Sequence, residues 1–150
     1  MLHVVVLGAG RVGGAMAKDL APEFRVTVAD RSEEALGRMG QAGLATRAAD
    51  LSNPEAVKAA VVNADLVVGA VPGFLGFPTA KAVLEAGKPL VDISFFDEDC
   101  FELDALAKAQ NLTAIVDCGI APGCPTSSWG TSPGSGTASP LSSAWWAACR

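Results

Sequence analysis

The sequence predicts an α/β protein built on a doubly wound parallel sheet, and three observations carry that expectation. A β-branched run, His3-Val4-Val5-Val6-Leu7, leads straight into a glycine turn, Gly8-Ala9-Gly10-Arg11-Val12-Gly13, and an amphipathic stretch follows to Leu20. A second run, Val26-Thr27-Val28-Ala29, ends in a carboxylate, Asp30. From there to Val116, short apolar runs alternate with longer alanine-rich stretches, the pattern of parallel strands covered on both faces.

Taken in order, strands are expected at residues 2–7, 25–29, 44–48, 65–71, 89–93 and 113–116, and helices at 11–21, 32–41, 54–63, 77–86 and 98–110. Ser52, three residues before Glu55 and with Pro54 in the first turn, reads as a capping box for the third helix. Ser94 or Asp97 is expected to cap the acidic opening Asp97-Glu98-Asp99 of the fifth. Gly43 and Gly87 close the helices before the third and fifth strands. Right-handed crossovers then favour the strand order 3-2-1-4-5-6 of the Rossmann type, with the carboxyl ends of the strands converging on one edge.

That edge is where open α/β sheets bind ligands, and the glycine turn suits a dinucleotide. Gly8 permits a tight turn after the strand, Gly10 lets backbone approach a pyrophosphate, and Gly13 lets the helix lie close on the sheet. The helix that begins at Arg11 and Val12 points unpaired N–H groups and its positive dipole end at the phosphates. Asp30 is placed to accept hydrogen bonds from the adenosine ribose. Asp50 and Leu51 either flank the adenine or form a loop before a capped helix. Val71, Pro72 and Gly73 would lie beside the pyrophosphate and nicotinamide ribose, their plainer reading being a strand-to-helix turn. A carboxylate at Asp30 favours NAD by repelling a 2′-phosphate, whereas Arg31 can pair with that phosphate or stack on adenine, so NADP stays open.

Composition narrows the partners. The 150 residues suffice for one domain with a real core, and 50% are apolar while 18% are charged, a soluble globular composition. A net charge of −5 without any Lys/Arg cluster argues against a nucleic-acid or anionic membrane surface. The start lacks the marks of a signal peptide, and Pro72, Pro78 and glycines break the apolar segment 66–80, so no membrane helix is expected. Cys100, Cys118, Cys124 and Cys149 form no C-x-x-C pair, and the single histidine, His3, lies in the first strand. No metal site is therefore expected, and free thiols in a cytoplasmic protein are the default.

Three phrases in order after the glycine turn are more specific than the glycines: Val71-Pro72-Gly73-Phe74, Asp92-Ile93-Ser94-Phe95 and Asp117-Cys118-Gly119-Ile120-Ala121-Pro122-Gly123. With them the chain, from residue 1 to 123, resembles the saccharopine dehydrogenase-like family, which includes lysine 6-dehydrogenases. The resemblance implies hydride transfer between a nicotinamide and the carbon of a C–N bond in an amino acid. It also implies that Asp92, Ser94, Asp117, Cys118, Pro122 and Gly123 line the junction between cofactor and substrate, though none is an obvious general base. The plainer reading of Asp117 and Cys118, which the residues favour, is that they simply end the sixth strand, Cys118 as a small buried hydrophobe.

Residues 1–123 thus read as an NAD(P)-binding domain and 124–150 as a tail foreign to the family, rich in Ser, Thr, Pro and Gly up to Ser143. Such a stretch is expected to be poorly ordered, since it buries too little apolar surface to offset its chain entropy. Reading the codons one base back turns Trp146 into a forced Val and Ala147 into a forced Gly, and permits a Leu-Ser-Asn-Leu-Leu-Leu-Gly from Cys124 to Gly130. Both outcomes resemble the family, so a frameshift near Gly123 is the preferred account over a genuine low-complexity extension. On this reading the chain is the nucleotide-binding part of an oxidoreductase, truncated and inactive alone, and a homo-oligomer is possible. Two other classes share the glycine turn and the acid after the second strand: nucleotide-sensing domains of the potassium-transport regulatory type, and methyltransferases.

Overall fold

The structure, a computed structural model, describes residues 1–116 and Cys118. It contains a parallel six-stranded sheet: β1 (His3–Leu7), β2 (Arg25–Asp30), β3 (Ala45–Ala48), β4 (Leu66–Gly69), β5 (Leu90–Asp92) and β6 (Ala114–Ile115). The order across the sheet is β3-β2-β1-β4-β5-β6, as the crossover rule required. β1 sits at the centre, with Leu7 aligned to Ala29 on one side and to Gly69 on the other. The switch point therefore lies directly above the glycine turn.

Helices α1 (Arg11–Leu20) and α2 (Glu33–Gln41) cover one face, while α3 (Pro54–Val61), α4 (Gly73–Glu85) and α5 (Asp104–Ala109) cover the other. Alternate residues of β1 serve the two layers. Val4 and Val6 pack with Val26, Val28, Ala17, Leu36 and Met39, whereas Val5 and Leu7 pack with Val57, Val61, Val67, Val83, Leu84 and Leu90. A strand buried on both faces has no polar side to show, which is why its sequence reads as an unbroken apolar run. Between α3 and α4, Lys58 bridges Glu85 at 2.9 Å and Glu55 at 3.1 Å; these bonds hold its ammonium above the usual lysine range and Glu85 below the carboxylate range.

Four local expectations differ from the structure. α4 begins at Gly73 instead of residue 77, because Pro72 supplies an extended N-cap and the side-chain-free Gly73 and Gly76 let the first turns settle against Phe95 and Ser94. Pro78, expected to break the apolar segment, consequently lies inside the helix, where it removes the bond to the Phe74 carbonyl and the helix runs on to Glu85. The segment expected as one helix over 98–110 opens with a 3-10 turn, Cys100–Leu103, and its cap is Asp99, which accepts from the Phe101 amide at 2.9 Å; neither Ser94 nor Asp97 caps it. At α3 the cap is Asn53, accepting from the Glu55 amide at 3.0 Å, so the Ser52 capping box does not form. Gly43 and Gly87 do close their helices, at φ +81° and +72°. The tail, with the domain boundary expected at 123, falls outside the described residues.

Leu7, with no exposed surface and neighbours from both α3 and α4 layers, tests the core. Leu7→Ala is expected to destabilise the domain by about 2–5 kcal/mol in urea unfolding.

Candidate functional site

The site begins where β1 runs out. Gly8 takes φ +110°, which side-chain-bearing residues rarely adopt, and a Cβ there would fall within 3.0 Å of the Ala70 carbonyl group. Gly13, one turn into α1, comes so close to the Gly8 carbonyl that a Cβ would overlap it. These two approaches press β1, β4 and α1 together at one point. Gly10 differs. Its backbone is extended, at φ −66° and ψ −172°, and an added Cβ would meet nothing within 4 Å. It is the N-cap of α1 yet supplies no side-chain cap, and the first turn carries no acid. The amides of Arg11, Val12 and Gly13 therefore open onto free space at the positive end of the helix dipole.

Asp30, at the end of β2, is tied down on both oxygens. Its Oδ2 accepts from the Ala9 amide at 2.7 Å, and its Oδ1 from the Ser32 amide at 2.8 Å. The carboxylate thus braces the glycine turn, a role its position in the sequence did not reveal. Two of about four acceptor positions on the carboxylate are used by these amides, leaving capacity for a ribose diol. Beyond β3, Asp50 Oδ1 accepts from the Ser52 hydroxyl at 2.7 Å and the Ser52 amide at 3.0 Å. Those bonds, with a smaller contribution from the Arg31 charge, hold the Asp50 carboxyl below the usual carboxylate range.

A cleft of about 430 Å³ runs along this edge. Gly8, Gly10, Arg11, Val12, Gly13, Asp30, Arg31, Asp50, Leu51, Val71 and Pro72 line it, so of the expected cofactor-side residues only Gly73 turns elsewhere, against the Phe95 carbonyl. Ser52, Ala70, Phe74, Leu75 and Ile93 also line it. Phe74 and Leu75 were hidden by the misplaced start of α4, and Ser52 by its apparent fitness as a cap. Phe74 is 79% exposed, an aromatic ring at the mouth of the cleft.

The residues expected toward a substrate are arranged differently. Asp92 and Ser94 are buried, with 0% and 4% of their surface exposed. The Ser94 hydroxyl and amide both donate to Asp92 Oδ1, and a Cβ on Gly69 would collide with the Asp92 carboxylate. Their side chains lie beneath α4 and do not line the cleft, because in β5 the residue in register with Gly69 points to the α4 face. Cys118 is exposed, not buried as expected, and its amide donates to the Asp92 carbonyl at 3.0 Å, continuing the β5–β6 ladder. Asp117, Pro122 and Gly123 lie outside the described residues. His3 bridges strands at the far end of the sheet, with ring nitrogens 2.9 Å from the Asn63 carbonyl and from Thr27 Oγ1. Among the described residues, no group of three or more His, Cys, Asp or Glu is placed to hold a metal, and no helix is long and apolar enough to cross a membrane.

A wound parallel sheet whose switch point carries an uncapped helix start, an open glycine and an acid at the end of β2 defines a dinucleotide-binding domain of the Rossmann type. Over residues 4–115 the chain matches the family described as Saccharopine dehydrogenase NADP binding domain, and it belongs to that family, as the three phrases implied. Its cofactor class is accordingly NAD(P). Among solved structures it is similar to saccharopine dehydrogenase (L-Glu forming) from Saccharomyces cerevisiae, at TM-score 0.72 and 21% identity over 82% of this chain and 28% of that one. An NAD-binding protein from Listeria innocua matches at TM-score 0.62 and 26% identity, over 77% of this chain and 34% of that one. An imine reductase variant from Myxococcus stipitatus, in complex with NAD⁺, matches at 0.57 and 19%, over 77% and 40%. The chain thus spans between about a quarter and two fifths of the length of these structures.

Gly13→Val is expected to lower the unfolding midpoint sharply, by at least about 2 kcal/mol, since backbone must move. Gly10→Val, facing open space, stays within about 0.5 kcal/mol of the parent in the same measurement. Asp30→Ala strands the Ala9 amide and costs about 1–3 kcal/mol.

Proposed function

We propose that the cleft binds a nicotinamide dinucleotide laid across the carboxyl edge of the sheet. The pyrophosphate lies over Gly10 against the amides of Arg11, Val12 and Gly13; the adenosine ribose is read by Asp30; Leu51 and Asp50 flank the adenine. Val71, Pro72 and the exposed Phe74 border the nicotinamide half. The observation that carries this reading is the uncapped start of α1 above open space at Gly10. A natural helix end of this kind calls for an anion. A Cβ there would stand where the phosphate belongs.

When bound, the dinucleotide supplies or accepts a hydride at its nicotinamide ring. The chain's own residues bind and orient it: the glycine turn fixes the phosphates, Asp30 fixes the ribose, and Pro72 with Phe74 limits water at the ring's end. The family supports a further step, that the domain serves an oxidoreductase acting on the C–N bond of an amino acid. Asp92 and Ser94 act there through the shape they give β5 and α4, since both are buried; Asp117, Cys118, Pro122 and Gly123 stay on the substrate side in this reading. The chain spans at most 40% of the matched structures discussed above, which supports the view that these residues alone bind cofactor and turn over no substrate.

Calorimetric titration of the purified chain tests the proposal. Nicotinamide dinucleotides are expected to release heat at a single site, S-adenosylmethionine none. Gly10→Val, still folded, is expected to lose affinity by at least about tenfold, the equivalent of 1.4 kcal/mol. Silence toward dinucleotides from folded protein, or undiminished binding by Gly10→Val, would overturn the assignment.

A further inference from the structure

One end of the cleft, assigned to the adenosine, is lined by three charged residues, Asp30, Arg31 and Asp50. The backbone brings them together, for the Ala49 amide donates to the Asp30 carbonyl at 3.0 Å, so the turn after β2 and the turn after β3 run side by side. Both carboxylates are fixed. Asp30 is held by the Ala9 and Ser32 amides, and Asp50 by the amide and hydroxyl of Ser52. Arg31 lines the cleft with both acids, is exposed and rooted on neither helix nor strand, and its charge adds to the bonds that hold the Asp50 carboxyl low.

Resting on the dinucleotide reading of the cleft, we propose that Asp50 is a specificity-determining residue that makes the domain select NAD over NADP, by withholding Arg31 from a 2′-phosphate. A 2′-phosphate on the ribose held by Asp30 would enter the space between the two carboxylates with close to two negative charges of its own. One arginine beside one acid can offset such a group, and many nucleotide sites use an arginine in that way. Here the arginine shares its end of the cleft with a second fixed acid, and the local balance stays negative. The selection thus acts through charge: the Asp50 carboxylate attracts the same guanidinium that the phosphate needs, and repels the phosphate directly. This departs from the NADP in the family's description, and it depends on residue 50, which lies on a different turn from the acid after β2.

The test is a competition titration of the full chain with NADH and NADPH at low ionic strength, following nicotinamide fluorescence. The parent is expected to bind NADH more tightly. Asp50→Asn keeps an oxygen to accept from Ser52 while removing the charge, and it is expected to raise the NADPH-to-NADH affinity ratio by about three- to tenfold. Arg31→Ala on that background is expected to remove the part of the gain that runs through the guanidinium, which a merely structural role of residue 50 would not do. An unchanged ratio in Asp50→Asn, or a parent that prefers NADPH, would overturn this inference while leaving the dinucleotide reading intact. A parent that binds neither nucleotide overturns both.

Discussion

Everything in this domain turns on the close approach of three backbones at the end of β1. The Gly8 turn must pass beneath the Ala70 carbonyl while Gly13 of α1 rests on the Gly8 carbonyl, and no side chain fits in either gap. Because interiors pack as densely as crystals, a methyl group at either glycine would push α1 off the sheet and tilt its first-turn amides away from the edge. The cleft is a consequence of this contact. It forms where β1 and β4 part, and its floor is the turn that the two glycines make possible.

A second consequence is the division of labour among acids. Asp30, Asp50 and Asp92 all follow or end strands at the same edge, yet only the first two reach the cleft. Strand alternation decides the matter. Asp92 stands in register with Gly69 on the face that α4 covers, so it is sealed beneath the helix with Ser94, whereas the turns after β2 and β3 leave their acids in the open. Asp92 and Ser94, with Gly69, Gly73 and Gly76, form a fitted polar joint between β5 and α4. Burial of a carboxylate is costly unless it is hydrogen-bonded, and Ser94 supplies two donors.

Much of this was legible in the residues. The strands, their order and most of the cleft followed from the period of the apolar runs and from the glycines, because parallel strands and tight turns leave few alternatives. What escaped were features in which a distant neighbour overruled a local signal. Residue 77 looked like the start of a helix until Phe95 and Ser94 were seen to draw the chain in from Gly73, and Ser52 looked like a cap until Asp50 claimed its hydroxyl. The resemblance to the saccharopine dehydrogenase-like family rested on short phrases whose sequence carried the identity, while the side-chain direction of Asp92 and Ser94 within one such phrase did not follow from it.

Sequence by itself determined the fold class, the strand order, the glycine turn and the acid after β2, since each depends on residue types whose allowed conformations or burial are set locally. Only the tertiary structure decided which acids face the cleft, that Asp30 braces the glycine turn through Ala9, and that α4 starts early enough to bring Phe74 to its mouth. The reason is the range of the forces: backbone preference and hydrophobic period act within a few residues, but the direction of a carboxylate is fixed by the amides and packing that other segments bring to it.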